Sequence, residues 1–449
     1  MGKKQRLSGQ ASLAGVGLWV GQKGIWRCIE QEVIIPQKVL RYKATDKLLD
    51  ALINILAGGH GLVEVNTRVK GDEGLQRAFG RSGCAEQSVI SDTLNACTSQ
   101  TVGQMQQALQ TIYQAYSKGY RHNYQQHLQV LDADMSGLPA GRSGEGVSKG
   151  YFPAVKNRRG RQLGRVVASL YDEIVVEGLY DGKRQLDRSL SELLESAEAV
   201  LALNAAKRRR TLVRVDAGGG TDEDINWLLR RGYQIMVKVK HYKRSAKLCR
   251  SVSTWYTDPK VEGRQVGWVD SPHPYAKPTR QLGIRNRKRN GHWTYHVVAF
   301  TLTDEQLFWL AHQPLRGQPT PQQLLFAALH AYDLRSGAVE TSNKGSKQGL
   351  GLTKRNKRRF VAQHMLVLLA QLAYNLITWT RTLLTQVDKR LAGFGCLRMV
   401  RDVLHIPGQI LLDAQGYVLR ITLCAAHPFA WAIVQAWTRH DLPVILGQI

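Results

Sequence analysis

From position 45 onward, apolar residues recur at helical spacing. Leu48, Leu49, Leu52, Ile53 and Leu56 share one face, and Gly58-Gly59 stops the run. The stretch before it, 1–45, is basic and carries two short β-like runs, 13–20 and 32–42, with Pro36 ending the apolar Val33-Ile34-Ile35. A second helix is expected over 72–79, closed by Gly80, and Ser88 opens a long helical stretch through 98–120. From position 126 the period changes to two. In Leu128–Asp134, Val130, Asp132 and Asp134 fall on one strand face, and Gln129, Leu131 and Ala133 on the other. Segments 165–171 and 173–179, rich in Val and Ile, read as a hairpin-connected pair. A helix over 187–206, with Ser189 and Ser191 as candidate caps, leads to a strand at 211–216. A glycine-rich turn, a helix at 225–231 and a strand at 233–239 follow. This order of strands, helix, strand, helix, strand predicts a mixed α/β sheet.

Residues 241–315 break the alternation. Short aromatic segments (253–256, 266–269, 292–301) are interleaved with basic runs such as 285–289, which reads as a β-rich insertion. Trp255, Trp268 and Trp293 offer flat faces for stacking bases, and the same residues suit cross-strand packing inside the insertion. A linker at 314–321 and a helix at 321–332 lead into Tyr332–Lys347. A basic run and a long apolar helix over 354–379 come next. The chain thus divides into an N-terminal, mostly helical region (1–125), a first core half (126–240), the insertion (241–315), a second core half (316–390) and a C-terminal packing or dimerisation region (391–449). The short N-terminal helices, punctuated by Gly and Ser, suit either a helix-turn-helix-like DNA-binding module or a plain bundle.

Charge narrows the partners. Lys and Arg number 62 against 35 Asp and Glu, a formal net charge of +27 over 449 residues. So positive a chain resists compaction unless a polyanion binds, and its large apolar segments set it apart from a basic tail. Nucleic acid is therefore the expected partner, with a ribosomal or membrane-surface protein as the alternative. The six cysteines are scattered without a Cys-x-x-Cys pair, which leaves a zinc ribbon unsupported and suits a reducing compartment. No secretory signal is expected from the basic N-terminus. The apolar run 365–384 carries Gln371, Asn375 and Arg381, so it reads as a core helix and not a membrane span. Gly218-Gly219-Gly220 matches neither a Walker A nor a dinucleotide fingerprint, and no nucleotide cofactor is expected.

Three acids remain as candidate chemistry. Asp134 and Asp216 each close an apolar strand, and Glu340 is the only carboxylate between Asp333 and Asp388. Cleavage of phosphodiesters by divalent metal needs hard oxygen ligands converging from separate elements. These three can meet at one sheet edge. Asp132 shares a strand face with Asp134 and is the alternative first acid. Asp216 alone also suits a helix cap.

At these residues the chain resembles the insertion-sequence DDE transposases that carry a Tyr-x2-Arg-x3-Glu-x6-Lys signature. Tyr332, Arg335, Glu340 and Lys347 stand in that order, with one residue too many between Arg335 and Glu340. Asp134-Met135-Ser136 is similar to the first-acid motif, and Arg214-Val215-Asp216-Ala217-Gly218 to the second. Leu372-Ala373-Tyr374-Asn375-Leu376 is similar to the helix after the signature, and Leu56-Ala57-Gly58-Gly59-His60 with Asp72-Glu73-Gly74-Leu75 to the region before the core. The resemblance implies a ribonuclease-H-like core split by the β-rich insertion, with Asp134, Asp216 and Glu340 as catalytic metal ligands for Mg2+, which Mn2+ replaces. It further implies nicking at element ends by water, then joining of the 3′-hydroxyl to target DNA. Tyr332, Arg335, Lys344 and Lys347 would contact DNA phosphates. The partners implied are terminal inverted repeats and target DNA, held by a homodimer in a synaptic complex. A bacterial cytoplasmic, nucleoid-associated location goes with them. A structure-specific nuclease on the same fold and a non-catalytic DNA-binding repressor are the rival readings. At about 100° per residue, Glu340 and Lys347 share a helix face and Tyr332 falls about 80° away. A π-bulge or break near Gly337 is needed to restore alignment.

Overall fold

The computed structural model describes residues 3–38, 41–150, 152, 155 and 157–448. In chain order its strands are β1 (Lys4–Ser8), β2 (Gln129–Pro139), β3 (Ser148–Lys149), β4 (Arg159–Ala168), β5 (Glu173–Tyr180), β6 (Thr211–Val215) and β7 (Gln234–Lys238). These are followed by β8 (Tyr256–Thr257), β9 (Arg264–Trp268), β10 (Arg280–Arg287), β11 (Trp293–Phe300), β12 (Gly408–Leu412), β13 (Val418–Cys424) and β14 (Val444–Gly447).

The fold is mixed α/β. Its main sheet runs β4-β2-β6-β7-β11-β10-β9-β8, with β3 and β5 both pairing the outer side of β4. β2, β6 and β7 are parallel to one another, and β2–β4 and β4–β5 are antiparallel. The composition of the strands explains their places. All five residues of β6 are buried, as a central parallel strand requires. Along β2 burial is complete through Ala133 and loosens at Asp134. Ala133 pairs with Val215 in parallel register. The residues that follow them, Asp134 and Asp216, therefore leave the core at the same edge of the sheet.

Two apolar layers cover the sheet. One side carries Leu131, Val166, Val213, Val215 and Ile235 into the larger core, which includes the helices Leu190–Leu201 and Asp222–Arg231. The other carries Val130, Leu212, Met236 and Val298 against the helices Asp304–Leu310 and Pro321–Arg335. The insertion is β-rich, as its aromatic segments predict. Its strands extend the main sheet and form no separate layer, because β11 pairs antiparallel with β7. Of the expected segment 253–256, only Tyr256 lies in a strand.

The N-terminal region departs from the sequence pattern. Residues 13–20 are helical, within Ala11–Gln22, and not β-like. That helix is apolar on all sides because both faces are buried, so it lacks the 3.6-residue period that marks a half-exposed helix. A Cβ at Gly15 would lie 2.8 Å from the Trp437 ring nitrogen, and one at Gly17 would lie 2.6 Å from the Phe79 ring. The glycines thus permit close packing here and do not interrupt the helix. The expected run 32–42 includes Val39 and Leu40, which lie outside the described residues. Ile25–Glu32 is a helix and residues 33–38 form no strand. The helices Ala44–Leu56, Gln87–Ala96 and Ser99–Tyr116 bury their apolar faces in the main core alongside Phe360–Thr385. β1 pairs with β12 in a second sheet ordered β1-β12-β13-β14, so regions 1–125 and 391–449 share one structural unit. The helix Phe360–Thr385 is long and apolar enough to cross a membrane, and 83% of its most apolar window is buried inside the fold.

The helix entered at Pro321 does not stop at residue 332. It continues to 349, with π-helical segments at Ser336–Glu340 and Gly345–Gly349 on either side of the α-turn Thr341–Lys344.

Candidate active site

A cleft of about 840 Å³ opens where β2 and β6 end beneath the long helix. Asp134, Asp216 and Glu340 all line it, together with Asn343, Lys344 and Lys347. Asp134 arrives from β2. Asp216 directly follows β6 and is set by a tight turn in which the Gly218 N–H donates to its Oδ1 at 2.8 Å. The glycines of this turn serve close approach. A Cβ on Gly220 would lie 1.9 Å from the carbonyl oxygen of Lys238 on β7. Glu340 comes from the first π-segment, is exposed, and has no protein partner among the described residues.

Asp134 is held on both oxygens. Arg335 donates from Nη2 to Oδ1 at 2.9 Å and Asn343 from Nδ2 to Oδ2 at 2.7 Å. Burial pushes its carboxyl up to about 6. The Arg335 guanidinium opposes that rise, and the like charges of Asp216 and Glu340 add to it. Three acids close enough to feel one another, in a cleft that also carries lysines, are chemically suited to a hard divalent cation. Among the described residues no group of three or more His, Cys, Asp or Glu side chains is already gathered as a metal cage. The Asp134 charge is matched instead by Arg335 and Asn343, so the donor set fits in chemistry while its oxygens are not drawn onto one point.

Asp132 has another task. It is fully buried, and Arg214, its cross-strand neighbour, pairs with both its oxygens at 2.7 Å. Ser169 donates to the same carboxylate, and Arg214 also donates to the Ala331 carbonyl at 2.9 Å. With both oxygens committed below the cleft floor, Asp132 ties the sheet to the long helix.

The other expected site residues scatter. Arg335 is only 4% exposed, so its guanidinium is committed to Asp134 and the Ala133 carbonyl and is not presented to solvent. Tyr332 is half-buried, does not line the cleft, and has its phenol pushed up by burial. Lys344 is exposed at the cleft rim. Lys347 lies deeper, where burial and the nearby Arg165 pull its ammonium down to about 8. None of the three tryptophans lines the cleft. Trp255 and Trp293 sandwich the Arg285 guanidinium, 4.4 and 4.6 Å from their ring centres. Trp268 donates its indole N–H to the Pro321 carbonyl and tilts against Phe300.

Sequence reasoning missed the layer behind the acids. Asp134, Arg165 and Glu177 are cross-strand neighbours on β2, β4 and β5. Arg165 and Glu177 form a fully buried ion pair. Arg165 also donates to Ser342 Oγ at 2.9 Å and Ser346 Oγ at 2.8 Å, which clamps the long helix to the sheet. The signal was present as Ser342, Asn343 and Ser346, small polar residues at buried positions of a helix.

No protein-family model and no curated protein sequence matches the chain. Among solved structures it is similar to a piggyBac transposase synaptic complex with hairpin DNA, determined by cryo-EM. The likeness has 9% sequence identity and a TM-score of 0.45, covering 98% of this chain and 85% of the other. At that level it assigns no family.

Proposed function

We propose that this protein is a DDE-type DNA transposase, which nicks DNA at the ends of its element and joins the freed 3′-hydroxyls to target DNA. The observation that carries the reading is the convergence of Asp134, Asp216 and Glu340 on one cleft from two neighbouring parallel strands and a later helix. The strand order β5-β4-β2-β6-β7, antiparallel and then parallel, supports a ribonuclease-H-like core around them. The net charge of +27 supports DNA as the partner.

The three carboxylates would hold Mg2+, with Mn2+ as substitute. When bound, the metal supplies activation of the attacking oxygen and stabilisation of the leaving one. The chain's own residues do the rest. Arg335 and Asn343 keep the Asp134 carboxylate oriented and favour its ionised form against burial. Lys344 and Lys347 line the path of the phosphate backbone and draw it into the cleft. Arg165 fixes the helix that carries Glu340. Two copies would hold two terminal inverted repeats in a synaptic homodimer.

The test is end cleavage in magnesium by Glu340→Ala beside the wild type. The variant is expected to bind the ends and not cut them, and normal cutting by it would sink the assignment. Supplying pre-cleaved ends separates a transposase from a nuclease on the same fold, since only the former yields joined products.

A further inference from the structure

Asn343 stands three residues after Glu340, is 7% exposed, and lines the same cleft. Its orientation is set by chemistry. Only the amide NH2 can face a carboxylate, so Nδ2 points at Asp134 Oδ2, 2.7 Å away. That leaves Oδ1, which is buried and has no partner among the described residues. A buried acceptor without a donor is a standing cost, and such atoms gather where a ligand completes the hydrogen bond. The turn that carries it is also fixed, because Ser342 before it and Ser346 after it both accept from Arg165. Turning the Asn343 side chain away to satisfy its oxygen elsewhere would give up its hydrogen bond to Asp134.

We propose that Asn343 is a catalytic residue of this cleft: its amide nitrogen fixes Asp134, and its carbonyl oxygen accepts the hydrogen bond of the O–H group that attacks phosphorus. This rests on the transposase reading and deepens it. The donor is water in nicking and a DNA 3′-hydroxyl in joining, which present the same O–H chemistry. Asn343 takes no proton. In either step the attacking oxygen bonds phosphorus and the P–O3′ bond breaks with its electron pair on the 3′ oxygen. The proton lost by the attacking group goes to bulk water, and the leaving 3′ oxygen takes one up.

The experiment compares full-length wild type, Asn343→Ala and Asn343→Leu in Mg2+, on supercoiled plasmid carrying the element ends for nicking and on pre-cleaved ends for joining. Leucine keeps the side-chain volume, so it remains informative if the alanine variant folds poorly. Both variants are expected to lose about 10–100-fold in kcat for both steps, the range typical of groups that orient an active-site ligand. KM for DNA and Tm stay near wild type, a split that a merely structural role does not produce. Wild-type kcat in either folded variant overturns the role of Asn343 and leaves the transposase reading intact. A wild type that neither nicks nor joins DNA overturns the transposase reading and this inference with it.

Discussion

Replacing Asp134 by Asn should abolish cleavage and also remove a stability penalty that grows with pH. Burial raises the Asp134 carboxyl from its ordinary 3.8 to about 6, despite the opposing charge of Arg335. At about 1.4 kcal/mol per pH unit, that difference amounts to about 3 kcal/mol. The sign follows from which state holds the proton more tightly. Below pH 4 the carboxyl is protonated folded and unfolded alike, and the neutral group carries no penalty. As pH rises towards 6 the unfolded chain has already ionised while the folded one resists, and stability is lost. Above pH 7 the folded protein bears the full cost of a buried carboxylate, and an uncharged amide of the same shape does not. In EDTA, denaturant unfolding of wild type and Asp134→Asn at pH 4, 5, 6 and 7.5 should therefore show a stability difference that moves with pH, on top of a constant offset from the altered Arg335 and Asn343 contacts. Between pH 4 and 7.5 that difference should move by about 3 kcal/mol in the variant's favour. Adding Mg2+ should stabilise the wild type by mass action and the variant far less. A difference that ignores pH, or that moves against the variant as pH rises, refutes the account of Asp134 as a strained, functional acid.

Asp132→Asn, two residues away on the same strand face, should act in the opposite direction. It leaves the buried Arg214 without its counter-ion, at a cost of about 3–5 kcal/mol in the same unfolding assay. Gly220→Ala should destabilise by about 1–3 kcal/mol or more, because the new Cβ meets a backbone carbonyl that cannot step aside. Calorimetry or denaturant midpoints will read it. Lys344→Ala should weaken DNA binding evenly across sequences and lower the slope of log affinity against log salt by about 1, as loss of one phosphate contact does. An unchanged slope would remove Lys344 from the DNA path.

Much of the site was legible because its parts sit on strongly patterned elements. The period-two run through Asp134 and the apolar strand into Asp216 mark both strands, although β2 runs on past Asp134 to Pro139 and only Asp216 stands at a strand end. Parallel pairing of Ala133 with Val215 then brings the two acids to one edge. What stayed hidden lacks a local signature. The helix Ala11–Gln22 is buried all round, so no period distinguishes it from a strand. The pairing of β1 with β12 joins residues some 400 positions apart, which no window along the chain can sense. The family resemblance implies a phosphate-binding role for Arg335, but the helix turns it inward onto Asp134. Burial, not residue type, decided its role.

The residue that spoils the signature spacing shows how the fold corrects a mismatch. Arg335 and Asn343 hold the two oxygens of one carboxylate, yet they are eight positions apart. At about 100° per residue an unbroken α-helix would leave them about 80° apart on its surface. A π-turn takes about one residue more than an α-turn, which removes about 100° and leaves the pair within about 20° of alignment. The π-segment lies at Ser336–Glu340, between the two, where it has this effect. A π-turn opens the hydrogen-bond ladder and is normally a local cost, so it persists where side-chain contacts over-determine it. The Arg335–Asp134 pair anchors one end, and the Arg165 clamp on Ser342 and Ser346 anchors the other. Deleting Gly337 would return the interval to α spacing. It would leave Arg335 and Asn343 seven α positions apart, still within about 20° of alignment, so Glu340, Asn343 and Lys347 should keep facing the cleft. The extra residue and the π-segment are therefore one feature, in which the π-turn absorbs the residue and keeps the cleft-facing side chains in line.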